Sequence, residues 1–226
     1  MSKQPIVVFD LDGTLMETGY DMLESLNYVL GAKGFQTMQT ADLHKLVGQG
    51  GRVTIDRALK LQNITLPADE IEPLFDMYIR HYAENIPGQS RYFDHVEPAL
   101  DALQQAGFLL AVCTNKQEEL AKPLLNAIDR AERYAAICGC DTFPWRKPDP
   151  RHILDTIAAA GGDATRAVMV GDSAADIHAA KAVDMPVIAV DFGYTDIPVQ
   201  ELDPTAIISS YTELTPQMVE KLLARK

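Results

Sequence analysis

Asp10 and Asp12 stand two positions apart directly after the apolar run at residues 6–9, and Gly13 and Thr14 follow them. Thr114-Asn115-Lys116 and Gly171-Asp172-Ser173, with Asp176 shortly after, sit behind apolar runs in the same way, and Lys147-Pro148-Asp149-Pro150 follows the region of residues 135–141. If the apolar runs are parallel strands, all four clusters lie at one edge of the sheet, where open α/β sheets bind ligands. Carboxylates gathered in one pocket repel one another and cannot all stay ionised unaided. A divalent cation resolves the conflict. The donors are hard oxygens, with no histidine or thiolate among them, so magnesium is the natural ion, and manganese or cobalt would also suit. A carboxylate that attacks a phosphate dianion meets the same repulsion, which a metal, one lysine and hydroxyl or amide donors would offset.

The elements that must position these residues are legible as hydrophobic patterns. Residues 6–9, 108–113, 135–138, 167–170, 187–190 and 206–208 form short runs rich in valine, isoleucine and alanine. Most are continuously apolar, as suits strands buried on both faces of a parallel sheet. Helical stripes lie between them: Leu100 and Leu103 before Gly107; Leu120, Leu124 and Ile128; Ile153, Leu154, Ile157 and Ala158 behind Asp149-Pro150; and Met218, Leu222 and Leu223 in a tail from Thr215. This alternation predicts an α/β fold with a doubly wound, Rossmann-like parallel sheet. Residues 17–86 depart from it. They carry helical faces (Leu23, Leu26 and Leu30; Ile71, Leu74, Phe75, Tyr78 and Tyr82) and no strand pattern. Far longer than an ordinary connection, the stretch reads as an all-helical cap inserted after the first strand, with Pro87-Gly88 marking the return. The expected division is a core of residues 1–16 and 87–226 around a cap of residues 17–86.

Composition narrows the function class. The chain has 226 residues and a formal net charge of −12, with its lysines and arginines scattered. Nucleic acid is an unexpected partner for such a surface, because phosphate backbones are captured by basic patches. No apolar run is long enough to cross a bilayer, and Asp10 and Asp12 interrupt the N-terminal run before it could form a signal-peptide core; the expected location is the cytoplasm. The three cysteines, Cys113, Cys138 and Cys140, do not form a disulfide framework. Cys138 and Cys140 lack a second ligand pair and read as small buried strand residues.

The four clusters, in their order and with the helical insert, resemble the haloacid dehalogenase superfamily, and in particular its phosphatases. Asp10-Leu11-Asp12-Gly13-Thr14 is similar to the first motif, Thr114-Asn115 to the second, Lys147 to the third, and Gly171-Asp172 through Asp176 to the fourth. Val47-Gly48-Gln49-Gly50 and Arg146-Lys147-Pro148-Asp149-Pro150 are most similar to phosphoglycolate phosphatases. The resemblance implies that Asp10 is a nucleophile forming an aspartyl-phosphate and that Asp12 is the general acid and base, with its backbone carbonyl on the metal. It implies that Thr114, Asn115 and Lys147 hold the phosphoryl group, that Mg2+ is bound by Asp10, Asp12 and Asp172, and that Asp176 acts from behind these ligands, four residues from Asp172 on one helix face. The implied partner is a small phosphorylated metabolite, with 2-phosphoglycolate the first candidate. Arg52 is placed to meet a substrate carboxylate, although a solvated helix arginine would look the same. Trp145, two residues before Lys147, suits either the site or simple burial. A dehalogenase is disfavoured by Asp12. A phosphosugar mutase, a pyrophosphatase and a phosphoryl-accepting signalling module share parts of the pattern and stay open at this level.

Overall fold

The computed structural model describes residues 3–47, 50–128 and 130–224, and all structural statements concern these. Gly48 and Gln49, two of the residues carrying the narrower family likeness, lie outside them.

In chain order the elements are β1 (Gln4–Phe9), β2 (Met16–Glu17), α1 (Gly19–Ala32), α2 (Leu43–Leu46), α3 (Gly51–Leu61), α4 (Ala68–Glu84), β3 (Arg91–Tyr92), α5 (Val96–Gln105) and β4 (Leu109–Cys113). There follow α6 (Glu118–Ala127), β5 (Ala136–Cys138), α7 (Pro150–Ala159), β6 (Gly162–Gly171), α8 (Ala174–Lys181), β7 (Val187–Val190), β8 (Ala206–Ile208) and α9 (Pro216–Leu223). Six strands form one sheet in the order β5-β4-β1-β6-β7-β8, and every neighbouring pair is parallel. The expected α/β, doubly wound sheet is therefore present.

Strand periodicity divides the core. Val7 and Phe9, Leu110 and Val112, Val168 and Val170, and Ile188 and Val190 face one cluster with residues of α5, α6 and α9. The alternate residues, including Ile6, Val8, Ala111, Cys113 and Met169, face a second cluster with α7 and α8. Both faces are buried, which is why the runs are continuously apolar instead of alternating. β1 is the central strand. The chain proceeds to β4 and β5 on one side and to β6, β7 and β8 on the other, so the switch of direction falls at the carboxyl end of β1.

Several local expectations are corrected. Glu17, placed in an all-helical stretch from the sequence, belongs to β2, which pairs antiparallel with β3 through Met16–Tyr92 and Glu17–Arg91. This ribbon joins the chain leaving β1 to the chain returning from α4. Ile128 is not helical; it caps α6, which ends at Ala127. β6 begins earlier than its apolar run, because Gly162 pairs with Gln4 across a register shift. Cys138 ends β5 and is buried, whereas Cys140 lies beyond the strand and is half-buried. Trp145 donates its Nε1–H to Asp155 at 2.9 Å and is covered by the Arg151 guanidinium, so it serves packing at α7.

Described residues between 19 and 84 form an apolar cluster, in which Leu26, Leu30, Ile55, Leu59, Leu74, Tyr78 and Tyr82 are joined by Leu120 and Tyr194. The segment is held at its root by one buried carboxylate. Asp21 on α1 accepts from the backbone N–H of Gln89 at 2.8 Å and of Ser90 at 2.9 Å, and also from the Ser90 hydroxyl. Gly88 makes this possible: a Cβ there would stand 2.5 Å from Asp21 Oδ1. Removing the acceptor would orphan these donors together. Asp21→Ala is expected to lower stability by about 2–3 kcal/mol, measured by urea unfolding; a change of about 0.5 kcal/mol or less, the usual size for an unimportant surface site, would show that the clamp carries no weight.

Candidate active site

Asp10 follows β1, Thr114 follows β4 and Asp172 follows β6, so three adjacent strands deliver them to the switch point. Lys147 arrives from the loop before α7, and Asp176 from the first turn of α8. All five are buried. Asp172 precedes α8 and does not share a helix face with Asp176. The two meet because the turn at Ser173 folds the first turn of α8 back over the end of β6, where a Cβ on Gly171 would stand 2.4 Å from Asp176 Cβ.

The centre of the site is an ion-pair cluster. Lys147 Nζ donates to Asp176 Oδ1 at 2.6 Å and to the Cys113 carbonyl at 2.5 Å. It lies 3.0 Å from Asp10 Oδ1, but off hydrogen-bonding geometry, so that buried oxygen has no hydrogen-bond partner. Asp176 Oδ2 accepts from the backbone N–H and hydroxyl of Ser173. Asp172 accepts from the backbone N–H of Tyr194 at 2.6 Å and from the Thr14 hydroxyl at 3.2 Å. Asp10, Asp172 and Asp176 each offer a carboxylate oxygen, all within 4.8 Å of one another. One ammonium cannot balance three carboxylates in a buried pocket, and the Asp10 oxygen left without a hydrogen bond points to the same deficit. The donor set therefore fits a hard divalent cation.

The electrostatics follow from burial. Desolvation raises the Asp10 carboxyl to about 6; Lys147 opposes this, while Asp176 and Asp12 add to it. Asp172 is pushed well above the usual carboxylate range by burial and then by Asp10 and Asp176. Burial works against the Lys147 charge, but Asp10 and Asp176 overcome it and hold the ammonium above its ordinary value.

Thr114 takes the backbone N–H of Lys116 on its Oγ1 at 3.1 Å. Asn115 directs its side-chain amide to the Lys147 carbonyl at 2.9 Å, and so ties the Lys147 loop to the end of β4. Asp12 is the exception to the convergence. Its carboxylate is not among the three clustered carboxylates and accepts from Lys116 Nζ at 3.0 and 3.2 Å. Arg52 occupies the second position of α3, pairs with Glu72 and stacks on Phe75 at 4.1 Å. A cavity of about 190 Å³ lies between the helical segment and the strand ends, with Asp10, Asp12, Thr114, Asn115 and Lys116 on one wall and Arg52, Phe75, Tyr78 and Tyr82 on the other. It is smaller than the ~300–1,000 Å³ typical of drug-sized ligand sites and suits a molecule of few atoms.

Sequence reasoning missed His152 and Tyr194, and gave Lys116 and Thr14 a place in the motifs but no role. Lys116 adjoins a motif and carried a signal in its place after β4. His152 accepts the Lys147 backbone N–H at 3.3 Å; burial and the Lys147 charge push its imidazole down to about 4, which keeps it a neutral acceptor. Thr14 and Tyr194 hold Asp172, and the Tyr194 hydroxyl also accepts from the Gly19 backbone at the start of α1, at 2.8 Å. The one trace of Tyr194 in the sequence is Gly193, where a Cβ would stand 2.3 Å from Asp172 Cβ.

Residues 7–190 match the family model for haloacid dehalogenase-like hydrolases. The chain belongs to that family. It is 49% identical over 221 residues to a phosphoglycolate phosphatase of Agrobacterium fabrum, covering 98% of this chain and 95% of the relative. It is equally similar, at 49% over 221 residues, to a phosphoglycolate phosphatase of Mesorhizobium japonicum, covering 98% and 97%. A crystal structure described as a predicted phosphoglycolate phosphatase from Haemophilus somnus 129pt superposes with a TM-score of 0.85 at 28% identity, covering 95% of this chain and 97% of that one. The chain is thus a family hydrolase of the phosphatase kind. Among the described residues no helix is long and apolar enough to cross a membrane.

The raised Asp10 carboxyl makes a signed prediction for the metal-free protein. A carboxyl that holds its proton more tightly when folded loses stability as pH rises between its ordinary value of 3.8 and about 6. His152 acts in the opposite sense over a similar interval, and comparison with Asp10→Asn cancels it. In chelator, Asp10→Asn is expected to be more stable than wild type at neutral pH, by on the order of 3 kcal/mol, with the advantage fading toward pH 4. Denaturant unfolding at several pH values checks this, and an advantage independent of pH would refute it.

Proposed function

We propose that the protein hydrolyses a small phosphate monoester, 2-phosphoglycolate, in the cytoplasm, through an aspartyl-phosphate on Asp10 with Mg2+ bound. The observation that carries the proposal is the buried cluster at the switch point: Asp10 with an unpartnered oxygen, beside Lys147 and within a carboxylate triad. The phosphoglycolate phosphatases from Agrobacterium fabrum and Mesorhizobium japonicum support the substrate.

In this reading Asp10 attacks phosphorus. Lys147 holds the nucleophile and draws charge from the phosphoryl oxygens. Thr114 and the backbone around Asn115 meet the remaining oxygens. Asp12 protonates the leaving alcohol and then takes a proton from the water that cleaves the acyl phosphate. Mg2+ would be held by Asp10, Asp172 and the Asp12 backbone carbonyl, and when bound it neutralises the carboxylates and polarises the phosphoryl group. Asp176 serves from behind, because its two oxygens already receive Lys147 and Ser173. Residues 17–86 act as a cap whose helices close the cavity over the strand ends and limit water. Such a roof, with Asp12 beneath it, favours turnover over storage of the phosphoryl group by a signalling module.

Phosphate release from a panel of small esters, with and without Mg2+, tests the reading. Metal-dependent turnover with phosphoglycolate preferred is the expected result; no turnover of any ester would refute it. Asp12→Asn should reduce kcat by at least ~100-fold while Mg2+ affinity by calorimetry stays near wild type. A variant whose defect is confined to metal affinity would remove Asp12 from the acid–base role.

A further inference from the structure

Lys116 has no part in the chemistry outlined above, yet it is among the most tightly placed side chains at the cavity. Its backbone N–H is held by Thr114 Oγ1 at 3.1 Å and its carbonyl accepts from Cys140 at 3.0 Å. Gly139 packs against that carbonyl so closely that a Cβ would stand 2.7 Å from it. The side chain is 6% exposed, spans to both oxygens of Asp12, and lies 4.1 Å over the Tyr82 ring. Beside it Tyr78, 3% exposed and lining the same cavity, has a hydroxyl without a hydrogen-bond partner. A buried cation on the strand-end wall and an unspent buried donor on the helical wall, both lining the one cavity, form a ready-made anion subsite.

Of the other cations lining the cavity, Arg146 is exposed and Arg52, on the helical wall, is committed elsewhere. Arg52 is paired with Glu72 and stacked on Phe75, and its side chain is 48% exposed. Lys116 is also better placed by substrate geometry. Asp12 must touch the ester oxygen to protonate it, and Lys116 touches Asp12. A carboxylate one methylene beyond that oxygen therefore comes within reach of the ammonium.

We propose that Lys116, with the Tyr78 hydroxyl, is the specificity-determining subsite that binds the carboxylate of a short phosphorylated acid, and that this contact draws Lys116 away from Asp12. While Lys116 occupies both Asp12 oxygens, neither is free to face the leaving group. A substrate with a second anionic group gives the ammonium another partner and releases one oxygen for proton transfer. A neutral ester of the same length does not. The inference rests on the phosphoglycolate reading and names the residues that would enforce it.

The test compares kcat/KM for 2-phosphoglycolate and for ethyl phosphate, which has the same length without the carboxylate, in wild type, Lys116→Met and Tyr78→Phe. Loss of the Asp12 contact relieves the neutral ester, and loss of the ammonium penalises phosphoglycolate; both lower the ratio of the two, which is the readout. The expected result is a wild-type preference for phosphoglycolate that falls by about 10- to 100-fold in Lys116→Met and by a smaller factor in Tyr78→Phe. A preference that survives in Lys116→Met overturns the assignment and leaves the substrate reading intact. Where Lys116→Met does not fold, an unchanged ratio in Tyr78→Phe overturns it. A wild type without preference for the carboxylate overturns both readings.

Discussion

The ammonium of Lys147 is buried among three carboxylates, and the molecule is arranged around the imbalance this creates. Burial penalises every charge in the group. Lys147 holds Asp176 and stands beside Asp10, but leaves an Asp10 oxygen without a hydrogen bond and Asp172 dependent on Thr14 and Tyr194. A pocket short of positive charge favours a divalent cation and then a phosphoryl group. The same deficit raises the Asp10 and Asp172 carboxyls above their ordinary range.

The fold supplies the rigidity that this arrangement requires. Three adjacent parallel strands, β4, β1 and β6, bring their carboxyl ends together at the switch point. Strands buried on both faces fix their end residues more firmly than surface loops would. Contacts around this frame then set finer positions: Asn115 ties down the Lys147 loop, His152 holds the Lys147 backbone, and Tyr194 joins Asp172 to the start of α1. This last contact physically connects the carboxylate cluster with the helical segment, whose root is clamped by Asp21.

Much of this was legible because it is local. Residues 187–190 and 206–208 read as strands and are β7 and β8; Asp149-Pro150 read as a helix start, and Asp149 caps α7 by accepting from Arg151. What failed was non-local or below the length at which a pattern exists. The β2–β3 ribbon has two residues a side and joins positions some seventy residues apart, so no periodicity announces it. Asp172 and Asp176 have helical spacing, yet the strand runs on through Gly171 and the helix starts at Ala174. Residue type alone could not show that Asp12 turns toward Lys116, that Arg52 pairs with Glu72, or that the Tyr194 backbone N–H holds Asp172, since each depends on tertiary placement.

The central claim is that Asp10 carries the phosphoryl group in turnover. The direct measurement is rapid acid quench of the Mg2+-loaded enzyme with phosphorus-labelled substrate, followed by peptide mapping. The account predicts a base-labile, hydroxylamine-sensitive phosphoryl label on Asp10 that appears and decays within the first turnover. Steady hydrolysis with no label on Asp10, or with the label on another residue, would contradict it.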